Sequence, residues 1–342
     1  MERFEHGGDV YANRGAIDFS ASLNPLGMPD GVRVALREGV DSFDSYPDVE
    51  CRELVAAISE REGVPASQVL ACAGATDALA RVCLALRPKR ALVCAPSYSG
   101  YEQSVEQAGG ETVRHFLRES RGFAPDESLV RNLDGVDAVF LANPNNPTGL
   151  TVDAELLERI IGEAGVCGVK VVLDESFIDF TSEPGAARLL GRAANLVIVK
   201  SLTKTYAMAG VRVGYLLCAD EGLMRACSKA GQPWAVSTPA QVAGVAALAD
   251  SGFIARTRDY VDARRRELEQ GLSVLGLRVL PGKANYLMFE SPRPLYAPLL
   301  DRGFIVRRCE NFAGLDGRWF RVAVRTQDEN AALLAAMKEV LA

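Results

Sequence analysis

Short apolar runs punctuate the first two thirds of the chain, and each is bounded on its far side by polar or turn residues. They are ALVCAP (Ala91–Pro96), AVFLAN (Ala138–Asn143), KVVLDE (Lys170–Glu175), NLVIVKS (Asn195–Ser201) and VGYLLC (Val213–Cys218). A strand that is apolar at successive positions, and not only at alternate ones, is buried on both faces. Amphipathic segments with a helical period, such as DAELLERIIGEAG, lie between several of the runs. This alternation predicts a mainly parallel sheet sandwiched by helices. VGYLLC follows NLVIVKS too closely for a helical crossover, so one antiparallel strand is predicted there.

The pattern changes after about Ser237. A long helical stretch, FIARTRDYVDARRRELEQGLSVLG, leads into LRVLPGKANYLMFE, then GFIVRRCENF and RWFRVAVR, and ends in NAALLAAMKEVLA. Strands followed by a terminal helix predict a smaller α+β domain. The first 30 residues have little helical period and are expected to pack on it. The predicted fold is therefore α/β: a large three-layer domain over 31–237, and a small domain built from 1–30 and 238–342.

Composition narrows the chemistry. The 342 residues are 48% hydrophobic and 24% charged, as in an ordinary soluble globular protein. A net charge of −6 argues against a nucleic-acid partner, which would require a basic surface. It also means that an anionic ligand must be held by a local cluster of cations and amides. The eight cysteines form no CxxC pair and several sit inside apolar runs, which reads as small buried hydrophobes in a reducing compartment. With two histidines and no Cys/His cluster, no metal site is predicted. The segment MERFEHGGDVYANRG has no apolar core of a signal peptide, and no apolar run approaches the ~18 residues of a membrane helix. The expectation is a cytoplasmic protein without a membrane partner.

In an open α/β sheet, ligands bind at the carboxyl ends of the strands. Those ends carry a set of polar residues. Gly74-Ala75-Thr76 precedes a helical pattern, so its amides and hydroxyl could hold a phosphate, although taken alone the segment reads first as a plain helix cap by Thr76. Tyr98, in PSYSGY, could stack on a flat ligand or pack in the core. NPNNPTG is a rigid turn in which Asn146 could donate to a ring oxygen. Asp174 ends a fully apolar strand, where a carboxylate needs a cation, either an arginine or a ligand. Lys204 lies within a turn of a strand end, beside Ser201, Thr203 and Arg212, which suit a phosphate. A neighbouring cation and partial burial lower a lysine's pKa and make its amine nucleophilic. Together these residues supply what pyridoxal 5′-phosphate (PLP) requires: a Schiff-base lysine, a partner for the ring nitrogen, a stacking aromatic and a phosphate cup.

With GATDAL, NPNNPTG, LDESF and SLTKTYAMAGVRVGY in that order, the chain resembles the fold-type-I PLP enzymes of the aspartate-aminotransferase superfamily over nearly its whole length. The resemblance implies that Lys204 carries the cofactor, Asp174 partners the pyridinium, Asn146 bonds the ring hydroxyl oxygen and Tyr98 stacks. It implies that Ala75, Thr76, Ser201, Thr203 and Arg212 surround the phosphate. It also implies a homodimer with shared active sites, in which Tyr46 reaches the phosphate in the neighbouring subunit. One position departs from the pattern: Phe177 stands where many relatives have a tyrosine that bonds the ring oxygen.

HGGDVY with IDFSASLNPLG, DESFIDF, and VRRCENFAGLDGRWFRVAVR are similar to segments of the L-threonine-O-3-phosphate decarboxylases, a branch that makes the aminopropanol phosphate of cobalamin assembly. The neighbouring branch, the histidinol-phosphate aminotransferases, usually has NENP and DEAY segments, which are not matched. The resemblance implies that Arg321 pairs with the substrate carboxylate. It implies that Arg307 and His6 hold the substrate phosphate and that Asn24 lines the same pocket. Arg325 and Arg308 are further candidates.

Overall fold

The structure is a computed structural model that describes residues 7–342. Thirteen strands occur among them, in chain order β1 (Ile17–Asp18), β2 (Val69–Cys72), β3 (Arg90–Ala95), β4 (Glu111–Phe116), β5 (Ala138–Ala142), β6 (Lys170–Asp174), β7 (Leu196–Ser201), β8 (Gly214–Cys218), β9 (Arg278–Val279), β10 (Tyr286–Glu290), β11 (Phe304–Ile305), β12 (Arg307–Arg308) and β13 (Trp319–Ala323).

Seven strands form the main sheet, in the order β2-β8-β7-β6-β5-β3-β4. The apolar runs account for five of them. Pairings among β4, β3, β5, β6 and β7 are parallel, whereas β8 is antiparallel to both β7 and β2, as its short connection demands. Successive residues along the strands serve opposite layers. Leu92, Val139, Val171 and Ile198 join one core cluster, and Ala91, Ala138, Val172 and Val197 join the other. Burial of a leucine- or valine-sized side chain contributes about 2 kcal/mol, which is why fully apolar strands settle in the middle layer. The apolar runs do not show β2 or β4. Both are edge strands, and β4 reads ETVRHF with little burial.

The helix Ala154–Val166 illustrates the outer layers. Asp153 caps it, its side chain accepting from the amides of Glu155 and Leu156, and Leu157, Ile160, Ile161 and Ala164 form its buried stripe. No helix among the described residues is long and apolar enough to cross a membrane.

The later part of the chain forms a four-stranded sheet, β12-β13-β10-β9, whose pairings are antiparallel. Phe19, Leu287, Phe289 and Phe320 make its core with Leu268 and Leu272 of the helix Phe253–Val274 and Leu333 and Met337 of the helix Gln327–Leu341. The amino-terminal arm joins this region: β1 runs parallel to β11, and the Ala323 amide donates to the Phe19 carbonyl (2.8 Å).

Candidate active site

Because β2, β3, β5, β6 and β7 run in one direction, their carboxyl ends share one edge of the main sheet, and the chain enters β8 from that edge. A cavity of about 240 Å3 lies there. Its walls include Ala75, Thr76, Tyr98, Asn146, Asp174, Ser201, Thr203, Lys204 and Arg212 from the main sheet, and Arg307 and Arg321 from the smaller one. Residues separated by more than 200 positions in the chain thus meet in one cleft.

The helix Ala75–Leu86 begins at this wall. Its N-cap is Gly74, at φ +92°, and no side chain caps it. Thr76 is inside the first turn and is not the cap, so the orphan amides of that turn are left for an anion. Arg212 adopts a left-handed backbone (φ +64°), and its guanidinium lies against Gly74: a Cβ there would come within 2.7 Å of Nη2. The conformation favours glycine at this position, and an added Cβ would also oblige the Arg212 guanidinium to shift. Ser201 and Thr203 hydroxyls pair at 2.6 Å beside this cup.

Asp174 is buried and has no ion pair with a lysine or arginine among the described residues. Its Oδ2 accepts from the Tyr101 hydroxyl (2.7 Å) and its Oδ1 from the Ser176 amide (2.8 Å). Burial raises its pKa, and hydrogen bonds from Ser176 and Tyr101, with the charge of Lys204, only partly oppose the shift. Of the two partners open to it in sequence, the arginine is absent. A desolvated carboxylate facing a cavity fits a cationic ligand atom such as a pyridinium nitrogen. Tyr101 was not identifiable as a site residue from sequence. It lies three positions after Tyr98 and meets it edge-on, with ring centroids 5.5 Å apart.

Lys204 stands on the single helical turn Leu202–Thr205 that follows β7. Burial, with repulsion from Arg321 and Arg212, brings its ammonium pKa down from 10.5 to about 8, against the pull of Asp174 and Asp18. Near pH 7 roughly a tenth of this amine is neutral and nucleophilic, far more than for an ordinary lysine.

Arg321 and Arg307 are direct cross-strand partners on β13 and β12, and both are buried, at 6% and 7% exposure. Arg321 donates to the Asn146 side-chain oxygen and to the Ser20 carbonyl (2.7 Å), and its guanidinium carbon lies 5.0 Å from the Tyr286 ring centroid. Arg307 donates to Asn311 (2.8 Å) and lies over Phe312 (5.1 Å), which also lines the cavity. Phe177 is at the cavity wall, edge-on to Tyr286 at 5.0 Å. Ser20, Ala21 and Ser22 of the arm also line the cavity; they lie inside the IDFSASLNPLG segment, of which only Asn24 was expected there.

Two expected residues, Asn24 and Tyr46, fall elsewhere. Asn24 does not line the cavity. Its Nδ2 donates to the Thr205 carbonyl (2.7 Å) and Thr257 Oγ1 (2.8 Å), and its Oδ1 accepts from the Leu26 amide (2.9 Å), so its polar atoms are engaged within the fold and not offered to a substrate. Tyr46 is 82% exposed, packed against Trp234 at 4.8 Å and outside this chain's cavity. His6 lies outside the described residues. Arg325 is held by Glu329 (2.8 Å) and the Asp18 carbonyl (3.0 Å), and Arg308 pairs with Glu310 (3.1 Å); neither is in the cavity wall.

The chain is 37% identical to the threonine-phosphate decarboxylase of Salmonella typhimurium, over 95% of this chain and 91% of that one. It is 31% identical to histidinol-phosphate aminotransferase 1 of Cupriavidus pinatubonensis, over 96% and 89%. The crystal structure of the histidinol-phosphate aminotransferase from Clostridium acetobutylicum superposes with a TM-score of 0.89 at 28% identity, covering 94% of this chain and 98% of that one. Residues 14–337 match the family described as aminotransferase class I and II. The amine, the buried carboxylate and the helix-start anion cup fit the aldehyde, ring nitrogen and phosphate of one cofactor. The chain belongs to the class I and II aminotransferase family, as a fold-type-I enzyme whose cofactor is pyridoxal 5′-phosphate.

Proposed function

We propose that this enzyme decarboxylates L-threonine O-3-phosphate to (R)-1-aminopropan-2-yl phosphate, a step of cobalamin assembly. The observation that carries the reading is the Arg307–Arg321 pair. Like charges directly opposite each other in a sheet are destabilising, more so when buried. Two such cations at one cavity wall suit a ligand with two anionic groups, and this substrate has a carboxylate and a phosphate. The 37% identity to a threonine-phosphate decarboxylase supports the same reading.

In this assignment Lys204 holds the cofactor and Asp174 its ring nitrogen. Asn146 bonds the ring oxygen, and Tyr98 stacks on the ring. Ala75, Thr76, Ser201, Thr203 and Arg212 surround the cofactor phosphate. Bound there, PLP supplies a sink for the electron pair released when a bond at the substrate Cα breaks. Arg321 holds the substrate carboxylate and Arg307 its phosphate, with His6 as a second phosphate ligand. Lys204 Nζ, freed when the substrate amine takes its place on the cofactor, would be placed to deliver a proton to Cα once the Cα–carboxylate bond has broken and carbon dioxide has left. The exposed Tyr46 would act on the phosphate of a second copy, which makes the working unit a homodimer. We also assign 31–237 to a cofactor-binding domain, and 1–30 with 238–342 to a smaller one.

The second reading is transamination of histidinol phosphate, favoured by the 31% identity to such an enzyme. Incubation with O-phospho-L-threonine and no 2-oxo acid separates the two. Carbon dioxide and an amine phosphate, identified by mass, are expected. No carbon dioxide, with turnover of histidinol phosphate only when a 2-oxo acid is supplied, would replace the first reading by the second.

The stacking assignment has its own check. A Cβ on Gly100 would lie 2.2 Å from the Tyr98 ring, so Gly100→Ala must push that ring from its seat. Overpacking of this kind costs 1–3 kcal/mol, and the expected result is roughly a 10-fold weaker PLP affinity in a spectrophotometric titration of the apoenzyme. Unchanged affinity would remove Tyr98 from the cofactor.

A further inference from the structure

The turn that carries Lys204 is a single one, Leu202–Thr205, and a helix of four residues has almost no stability of its own. It projects from the end of β7 into the cavity region, so something else must hold it. The structure provides a grip on each side.

On one side is Asn24 of the arm. Its backbone amide donates to the Lys204 carbonyl (3.1 Å) and its side chain to the Thr205 carbonyl (2.7 Å). The same amide group reaches Thr257 Oγ1 (2.8 Å) on the helix Phe253–Val274. On the other side is Asp179. Its Oδ2 accepts from the fully buried Thr205 hydroxyl (3.2 Å), and its Oδ1 from Arg61 Nη2 (2.6 Å). Arg61 Nη1 then donates to the hydroxyl of Tyr206 (3.0 Å), the residue that follows the turn. Beside Arg61, Glu62 accepts from buried Lys200 of β7 (2.8 Å) and from the Tyr215 hydroxyl of β8 (2.6 Å). The strand and the turn that leaves it are tied to one buried polar network.

Asn24, Asp179, Thr205 and Arg61 are absent from the cavity wall, so none of them is placed to touch cofactor or substrate. Polar groups buried at this density are costly unless each is satisfied, and here their bonds converge on the residues flanking one lysine. We propose that Asn24 and Asp179, the latter through Thr205, are positioning residues that set where Lys204 Nζ stands. They thereby set how readily Nζ forms its C=N bond with the cofactor aldehyde, whose oxygen leaves as water. The proposal rests on Lys204 as the cofactor-bearing residue. It is independent of which substrate the enzyme uses, because its readouts need none.

The test adds PLP to the purified apoenzyme and follows the growth of cofactor absorbance across pH, for wild type, Thr205→Val, Thr205→Ser and Asn24→Ala. Thr205→Val removes the hydroxyl at nearly constant volume, and Thr205→Ser retains it. For Thr205→Val and Asn24→Ala the attachment rate is expected to fall about 10-fold, as befits a reacting atom misplaced by part of an ångström. The midpoint of the pH profile should move away from about 8, the wild-type lysine value, whereas Thr205→Ser should keep both rate and midpoint near wild type. Tm of each apoenzyme is measured in parallel. Wild-type rates and midpoints in both Thr205→Val and Asn24→Ala, whatever happens to Tm, would reduce the clamp to a fold-stabilising role and overturn the proposal. If Thr205→Val does not fold, Asn24→Ala decides alone. Loss of attachment in all variants and in wild type would instead indict the Lys204 assignment.

Discussion

Lys204→Ala is expected to abolish the visible absorbance of the covalently held cofactor and to lower kcat by at least about 1,000-fold, since both the nucleophile and the proton donor are lost. The fold should survive, because Lys204 Nζ makes no ion pair among the described residues, and its stability should even rise. The sign follows from linkage. The folded-state pKa, about 8, is below the unfolded value of 10.5, so protonation of this lysine opposes folding. The penalty is complete below about pH 8, shrinks between 8 and 10.5, and is gone above that. Its ceiling is about 3 kcal/mol at 1.36 kcal/mol per pKa unit. Apo Lys204→Ala should therefore melt above the wild-type apoenzyme at pH 7, with the gap closing by pH 10.5. Calorimetry of the two apoproteins across pH checks this. A lower Tm for the variant at neutral pH would contradict the buried-cation account.

The second large effect is expected at Asp174→Asn. The amide can keep the local hydrogen bonds, its oxygen accepting from the Ser176 amide and its nitrogen donating to the Tyr101 hydroxyl. It cannot hold a proton on the ring nitrogen by charge. Preorganised electrostatic partners of this kind contribute about 100- to 1,000-fold in rate, and a loss of that order in kcat is expected in steady-state kinetics. The effect on the apoprotein has the opposite sign. Burial raises the pKa of Asp174, so its ionisation opposes folding, and the penalty grows as pH rises from the ordinary value of 3.8 through the raised one. Asp174→Asn should raise the apo Tm at pH 7 while it weakens catalysis, the trade expected where a site holds a charge for function and not for stability. A variant with full activity would end the pyridinium assignment, and a lower apo Tm would show that the carboxylate contributes to the fold.

Much of this architecture is local in origin and so is readable along the chain. Fully apolar runs such as KVVLD fall in the middle layer because both faces of those strands are covered, and the polar residues after them stand at the ligand edge because parallel strands share a direction. The antiparallel β8 follows from the shortness of its connection, and Lys204, Asp174, Asn146 and Tyr98 follow from their position after strands. Edge strands β2 and β4 escape this reading because an edge needs no continuous apolar run.

What the linear order could not reveal is which polar group spends its hydrogen bonds on which distant neighbour. Asn24 looks like a pocket residue until its partners are seen 181 and 233 positions away. Tyr101 reads as a core aromatic until its hydroxyl meets Asp174, 73 positions on. Lys200 is hidden in an apolar strand until Glu62, 138 positions earlier, neutralises it. A side chain's propensity and period are set by its immediate neighbours, whereas the fate of a buried polar atom is set by chain closure. Only closure brought two like-charged arginines face to face at one cavity wall.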